Sequence, residues 1–397
     1  MKPELRVDIA IIGGGIAGLW LLNRLRRSGY SALLFEKHHL GGEQSVKSQG
    51  IIHGGTKYAL NGVLTQAANA IADMPARWQD SLEGHGEVDL GSARILSRHH
   101  YMWSRGRLAS RMTTFFASKA LRGRVADVPA EERPEAFRNP AFKGNLYALN
   151  ELVLDVPSVI QALARPYSGT FIQADFSAPG SLRREGEGFA LEPVPGTVIH
   201  ARRVITTAGE GTEQLLVNHG LKGPAMQRRP LHMAMVCAQN LPPVYAHCIG
   251  TGSKPVVTIT THFLPDGRKV WYLGGQLAED GVEADTGTLI ERARKLLNDL
   301  LPWISLDGAQ WSTLRINRAE PRQSTLTRPD SAFMAAEGPL MVCWPTKLAL
   351  SPNLADEVLK QLREEEVFPA TPQPDLHLHD LPAPLMSPTP WEEAFAS

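Results

Sequence analysis

Val7-Asp8-Ile9-Ala10-Ile11-Ile12-Gly13-Gly14-Gly15-Ile16-Ala17-Gly18 opens the chain, and the reading of these residues decides the fold. Residues 7–12 are mostly β-branched and apolar, as in a strand buried on both faces of a parallel sheet. The period then changes: Leu19, Leu22 and Leu25 recur at helical spacing, while Arg24, Arg26 and Arg27 take the opposite face. Ser28-Gly29 offers a left-handed helix cap, and residues 31–35 give a second buried strand that finishes on Glu36. The unit is βαβ, with Gly13, Gly15 and Gly18 in GxGxxG spacing at its turn.

Glycines at such a turn let the backbone approach a pyrophosphate, and the helix start turns free N–H groups and a positive dipole end toward it. Gly13, Gly15, Ile16, Ala17 and Gly18 are therefore candidate cofactor contacts. Glu36, 23 positions after Gly13, can accept hydrogen bonds from ribose hydroxyls, with Lys37 beside it. An acid rather than a base there argues against a 2′-phosphate and suits FAD and NAD equally.

The next segment separates the two. Gly41-Gly42-Glu43-Gln44-Ser45-Val46-Lys47-Ser48-Gln49-Gly50-Ile51-Ile52-His53-Gly54-Gly55 resembles the flavin-facing loop of the superfamily of D-amino-acid oxidase, glycine oxidase and FAD-dependent glycerol-3-phosphate dehydrogenase. The resemblance implies that the hydroxyl-rich part holds the pyrophosphate and that Ile-His-Gly-Gly passes beside the isoalloxazine ring. Ser45 and Ser48 can donate to phosphate oxygens, Gln49 lies next to them, and Gly50, Gly54 and Gly55 leave room for a flat ring.

Three further segments resemble the same family in order. Residues 152–158, Leu-Val-Leu-Asp-Val-Pro-Ser, look like its strand and helix start, with Asp155 or Ser158 as the cap. Residues 203–211 look like its strand ending in Ala208-Gly209, and residues 339–344 like the strand that delivers Pro345-Thr346-Lys347-Leu348 into a last helix. Ser351-Pro352 reads as that helix's N-cap and first turn, with Leu354, Val358, Leu359 and Leu362 as its buried stripe. The chain departs from the family where several glycines would precede this helix; Trp344-Pro345-Thr346-Lys347-Leu348-Ala349-Leu350 stands there and implies a narrower, differently shaped ring pocket. Covalently flavinylated relatives carry a cysteine near the stretch matching residues 321–325; this chain has none, so the FAD is expected to be non-covalent.

The implied fold class is α/β: a Rossmann-like FAD-binding domain of the glutathione-reductase type, with a second mixed or antiparallel-sheet substrate domain inserted discontinuously. The FAD domain is expected over residues 1–85, 150–225 and 320–366, and the substrate domain over 86–149 and 226–319. Residues 92–103, 231–239, 256–263 and 270–276 alternate as antiparallel strands, the last two joined by the turn Pro265-Asp266-Gly267-Arg268. Residues 288–300 have a helical period. The proline-rich tail, 367–397, is expected to support neither helix nor sheet and to wrap the surface or stay flexible.

An enzyme of this class must hold the substrate C–H against flavin N5, anchor its anionic end and balance charge at flavin N1–C2=O. Lys347, ahead of the last helix, suits the flavin charge, and Leu348 lies beside it. His53 can orient substrate or take its proton, or else pack under the ring; Lys57 and Tyr58 follow close behind. Among Arg315, Arg318 and Arg322, the resemblance points to Arg318 as the substrate anion's partner, an ion pair with Glu320 being its competing use. His232, His262 and Tyr272 lie on the expected roof strands, and the 13 histidines show no metal-site spacing.

Composition bounds the rest. The 397 residues are two to three usual domain lengths, and 41 basic against 41 acidic residues give no electrostatic reason to bind nucleic acid. Cys237, Cys248 and Cys343 show no CxxC spacing, which fits a reducing, cytoplasmic setting. Residues 7–18 are too short and glycine-broken to span a bilayer, and peripheral membrane contact is left open. The reading is an FAD-dependent dehydrogenase or oxidase acting on a small anionic substrate, a hydroxy acid or a glycerol-3-phosphate-like compound, by hydride transfer to flavin N5. Two alternatives stand beside it: an amine or amino-acid oxidase of the glycine or sarcosine oxidase type, and a non-catalytic flavin-bound binding module. No motif encodes the electron acceptor that would reoxidise the cofactor.

Overall fold

The computed structural model describes residues 5–55, 71–104, 125–250, 254–322, 331–372 and 381–396. The opening unit forms as its pattern requires: strand Leu5–Ile12 (β1), helix Ile16–Arg27 (α1) and strand Ala32–Glu36 (β2). β1 lies parallel to β2 on one side and to Thr197–Thr206 on the other. Phe171–Gln173 extends the sheet beyond β2, and Leu340–Trp344 joins it along the end of Thr197–Thr206. Antiparallel strands Gly188–Val194, Leu182–Glu185 and Phe333–Glu337 complete eight. One face carries α1, Val156–Ala164 and Ser351–Glu364, and the apolar core there includes Leu19, Leu22, Leu163, Leu354, Val358 and Leu362.

The second sheet is mixed, as expected. Its order is Gln310–Pro321, Met226–Ala238, Lys269–Gly274, Pro255–Phe263, Ala246–Ile249, His100–Ser104, Leu146–Leu149 and Val125–Asp127. The hairpin is present, Thr261 facing Trp271 across it, with Gly267 at φ 85 in the turn. Helix Thr286–Leu300 packs on this sheet through Leu289, Ala293 and Leu297. Among the described residues no helix is long and apolar enough to cross a membrane.

Three local expectations are corrected. Residues 92–103 are two short strands, and Ile95–Ser97 pairs with Leu152–Leu154 instead of the second sheet; a register shift between Ile95 and Ser97 marks the break. Ser351 is not the N-cap of the last long helix but its first residue, because a short 3₁₀ turn, Leu348–Leu350, already starts the winding and takes the Ser351 hydroxyl on the Leu348 carbonyl. The tail does support regular structure. Leu385–Met386 pairs in parallel with His39–Leu40, and Pro390–Phe395 is a helix. Proline at its first position costs nothing there, and Thr389 with Glu392 closes a capping box. Trp391, 2% exposed, then stacks on His262 at 3.9 Å with ring planes 16° apart.

Burial under this contact pushes the His262 pKa down to about 3. The unfolded chain takes up that proton below 6.5, so stability is complete above that pH and declines as pH falls toward 3. One such group sets a slope of at most about 1.4 kcal/mol per pH unit. In His262→Phe the urea midpoints at pH 7.5 and 5 should therefore converge relative to the parent; an unchanged gap would contradict this reading of His262.

Candidate active site

The sheet ends, not the side chains, begin the site. Gly13 has φ +117, and a Cβ there would stand 2.6 Å from the Thr207 carbonyl carbon and oxygen, so only glycine lets β1 turn beside Thr197–Thr206. Gly18 serves packing: a Cβ would meet the Gly13 oxygen at 2.0 Å. Gly15 caps α1 without a side chain, and Ser45 Oγ accepts the Ile16 N–H at 3.0 Å. Glu36 receives the N–H of Gly14 at 2.6 Å and that of His38 at 2.9 Å, which fixes its carboxylate at the end of β2. Lys37 is exposed and paired with Asp175.

A cavity of about 1210 Å³ runs from this turn to the second sheet. Gly13, Gly15, Ile16, Ala17, Glu36, Lys37, Ser45, Ser48, Gln49, Gly50, His53, Ala208, Gly209, Lys347, Leu348 and Arg318 all line it; Gly18 and Arg322 do not. Gln49 also has a second task, its amide donating to the carbonyls of Thr258 and Tyr272 at 3.2 and 3.0 Å. Lys347 is 5% exposed and follows Thr346, whose φ of +60 is unusual for a β-branched residue; the Thr346 hydroxyl donates to the Ser331 carbonyl. Trp344 lines the cavity, its Nε1 donating to the Gly209 carbonyl at 3.2 Å.

The roof residues divide. Arg229 and Arg318 face each other across two antiparallel strands, and both line the cavity. Glu320 is held by Arg229 at 2.9 Å and by Gln227 at 2.8 Å, and Arg318 Nε donates to the Arg229 carbonyl at 3.3 Å. Arg315 is spent on the carbonyls of Val282 and Ala284, His232 on the Gly281 carbonyl, and the Tyr272 hydroxyl on the Lys47 carbonyl. Arg322 is exposed. Lys57 and Tyr58 lie outside the described residues.

Sequence reasoning missed Glu151 and His247. Glu151 is 1% exposed; its Oε2 meets His53 Nδ1 at 3.1 Å and its Oε1 takes the Gly54 N–H at 3.1 Å. Burial alone would raise its pKa, but the imidazoles of His53 and His100 and the hydrogen bonds from His53 and Gly54 hold it below the ordinary value. The signal was a lone acid inside Leu149-Asn150-Glu151-Leu152 and a lone histidine inside Ala246-His247-Cys248-Ile249. His53, Glu151 and His247 each bring a ligand-type atom within 4.8 Å of the others; Glu151 is hydrogen-bonded to His53, and the His53 and His247 rings lie 6.0 Å apart with planes 11° apart.

Comparison with known proteins agrees with this geometry. Residues 8–338 match the family described as FAD dependent oxidoreductase, DAO, and the chain belongs to that family. It is 53% identical over all 397 residues of both chains to PA4991 of Pseudomonas aeruginosa, described as a probable FAD-dependent oxidoreductase. The crystal structure of PA4991 superposes over the whole of both chains with a TM-score of 0.83 and 47% identity. Glycine oxidase from Geobacillus kaustophilus, 16% identical, shares the fold with a TM-score of 0.63, over 95% of this chain and 98% of that one. The protein is thus an FAD-dependent oxidoreductase.

The residues fit FAD. Ser48 Oγ is buried, lines the cavity and makes no hydrogen bond to another described residue, as a donor awaiting a phosphate oxygen would. Ser48→Ala should raise the Kd for FAD about 10- to 100-fold, the worth of one hydrogen bond to a charged group, in a flavin-fluorescence titration of apoprotein. An unchanged Kd would remove Ser48 from the phosphate site.

Proposed function

We infer that the enzyme oxidises a small anionic substrate carrying a hydroxyl group, a hydroxy acid or a glycerol-3-phosphate-like compound. The observation that carries this is that His53, Arg318 and Lys347 line one cavity, with His53 on the loop that resembles the flavin-facing segment. FAD, when bound, supplies the hydride acceptor at N5. Arg318 anchors the substrate's anionic end through its guanidinium fork, with Glu320 already satisfied by Arg229 and Gln227. Lys347, with the start of the helix Ser351–Glu364 behind it, places positive potential where flavin N1–C2=O gains charge. On this reading His53, which lines the same cavity, would stand beside the substrate's reacting carbon. The FAD is held without a covalent bond.

The amine-oxidase alternative separates on one test. Under anaerobic mixing, glycerol 3-phosphate or lactate should bleach the flavin, and glycine or sarcosine should not; bleaching by the amines alone would overturn the proposal. Arg318→Lys should weaken the half-saturating concentration of the bleaching substrate about 10- to 100-fold, because a bidentate charged contact becomes a single one. No change would place the anion elsewhere.

A further inference from the structure

A hydroxyl and an amine make different demands on the protein. A neutral amine can lose hydride from its α-carbon with no base, since its nitrogen lone pair supplies the new double bond. An alcohol must also lose its hydroxyl proton, so a base has to stand beside the carbon. His53 lines the cavity, and the feature that sets its state is Glu151 behind it.

Glu151 enters from the chain just ahead of Leu152–Leu154, which pairs with Ile51–Ile52, the two-residue strand that leads to His53. This pairing fixes the carboxylate against the imidazole. The side chain of Glu151 is 2% exposed and that of His53 18%, so the acid is the buried partner and the imidazole faces the cavity. An ionised carboxylate only accepts hydrogen bonds, so His53 Nδ1 carries the proton of their 3.1 Å contact. The tautomer is thereby set, and Nε2, at the opposite edge of the ring, holds the basic lone pair. Gly54 N–H occupies the other oxygen of Glu151 and keeps the carboxylate from rotating away. The charged and titratable groups around the pair among the described residues are His247, whose ring lies 6.0 Å from that of His53, and His100, 4.1 Å from His247. His247 Nδ1 is engaged with the Thr258 hydroxyl at 2.7 Å.

We propose that Glu151 is a positioning residue that makes His53 a base for a substrate hydroxyl, so that the enzyme's substrate class is a secondary alcohol bearing an anionic group. This rests on the proposed function and narrows it. In the step, the substrate C–H bond breaks with its electron pair going to flavin N5. The O–H bond breaks with its pair closing a C=O bond, and the proton goes to His53 Nε2. A ketone and two-electron-reduced flavin result.

The test uses FAD-loaded enzyme under anaerobic mixing with glycerol 3-phosphate and lactate, whichever bleaches the parent. If neither bleaches the parent, the underlying functional reading fails and the secondary-alcohol class falls with it, while the His53 tautomer still decides whether Glu151 positions the imidazole. If one does, Glu151→Gln, which keeps the shape and removes the charge, should slow bleaching about 100-fold. It should leave the half-saturating substrate concentration within about 2-fold. The acidic limb of the rate's pH profile should move to lower pH, because the carboxylate favours the imidazolium. His53→Asn combined with Glu151→Gln should be no slower than His53→Asn alone, since residues acting as one unit are not additive. A parent-like rate and pH limb in Glu151→Gln, or additive losses in the double variant, would overturn the proposal. One readout needs no turnover: nitrogen NMR of the His53 imidazole in the FAD-loaded parent should show Nδ1 protonated and Nε2 unprotonated, with that preference lost in Glu151→Gln; an Nε2-protonated tautomer in the parent would overturn the proposal.

Discussion

The structure depends on one stretch of backbone, residues 41–55, being hydrogen-bonded to both sheets at once. At its start the Gly41 N–H donates to the Gly14 carbonyl and Ser45 accepts the Ile16 N–H, which ties it to the nucleotide turn. In its middle Gln49 donates to Thr258 and Tyr272, while the Tyr272 hydroxyl returns to the Lys47 carbonyl. At its end Gly50 accepts the Leu154 N–H and Gly54 donates to Glu151. Close approach is built in: a Cβ at Gly274 would stand 2.5 Å from Gln49 Oε1, and one at Gly50 2.1 Å from the Leu154 carbonyl oxygen. The turn proposed to hold a pyrophosphate is therefore mechanically continuous with the loop that carries His53.

Charge is arranged around that stretch with compensation. Two arginines facing each other across a ladder repel, and Glu320 offsets one of them from the same face. A buried carboxylate is costly unless held, and Glu151 is held by an imidazole and a backbone N–H. The result is a cavity lined by Arg229, Arg318 and Lys347, with His53 hydrogen-bonded from behind by Glu151. This arrangement supports the proposed substrate, an anion that loses both a hydride and a proton.

The parts legible in sequence were those governed by local rules. Apolar runs, largely β-branched in β1, gave β1 and β2, helical spacing gave α1, and close backbone approach required glycine at positions 13 and 18. The ordered resemblance placed the loop at 41–55, the Ala208-Gly209 strand end and Lys347 around one cavity. What escaped was set by tertiary contact. Glu151 and His247 come from segments that read as plain core strands, and only the pairing of Ile51–Ile52 with Leu152–Leu154 brings the acid to His53. The pairing of Arg229 with Glu320 is a cross-strand register effect, invisible before the strands are paired. The tail misled because prolines were weighed as breakers, although at the first helical position they favour the helix that buries Trp391.

The most direct measurement is a crystal structure of the FAD-loaded enzyme. The account predicts the pyrophosphate against Ile16, Ser45 and Ser48, the ribose on Glu36, and the isoalloxazine along residues 51–54, with His53 still hydrogen-bonded to Glu151 and its ring reaching the space over N5. A flavin lying away from residues 51–54, or a His53 turned from that space, would contradict it.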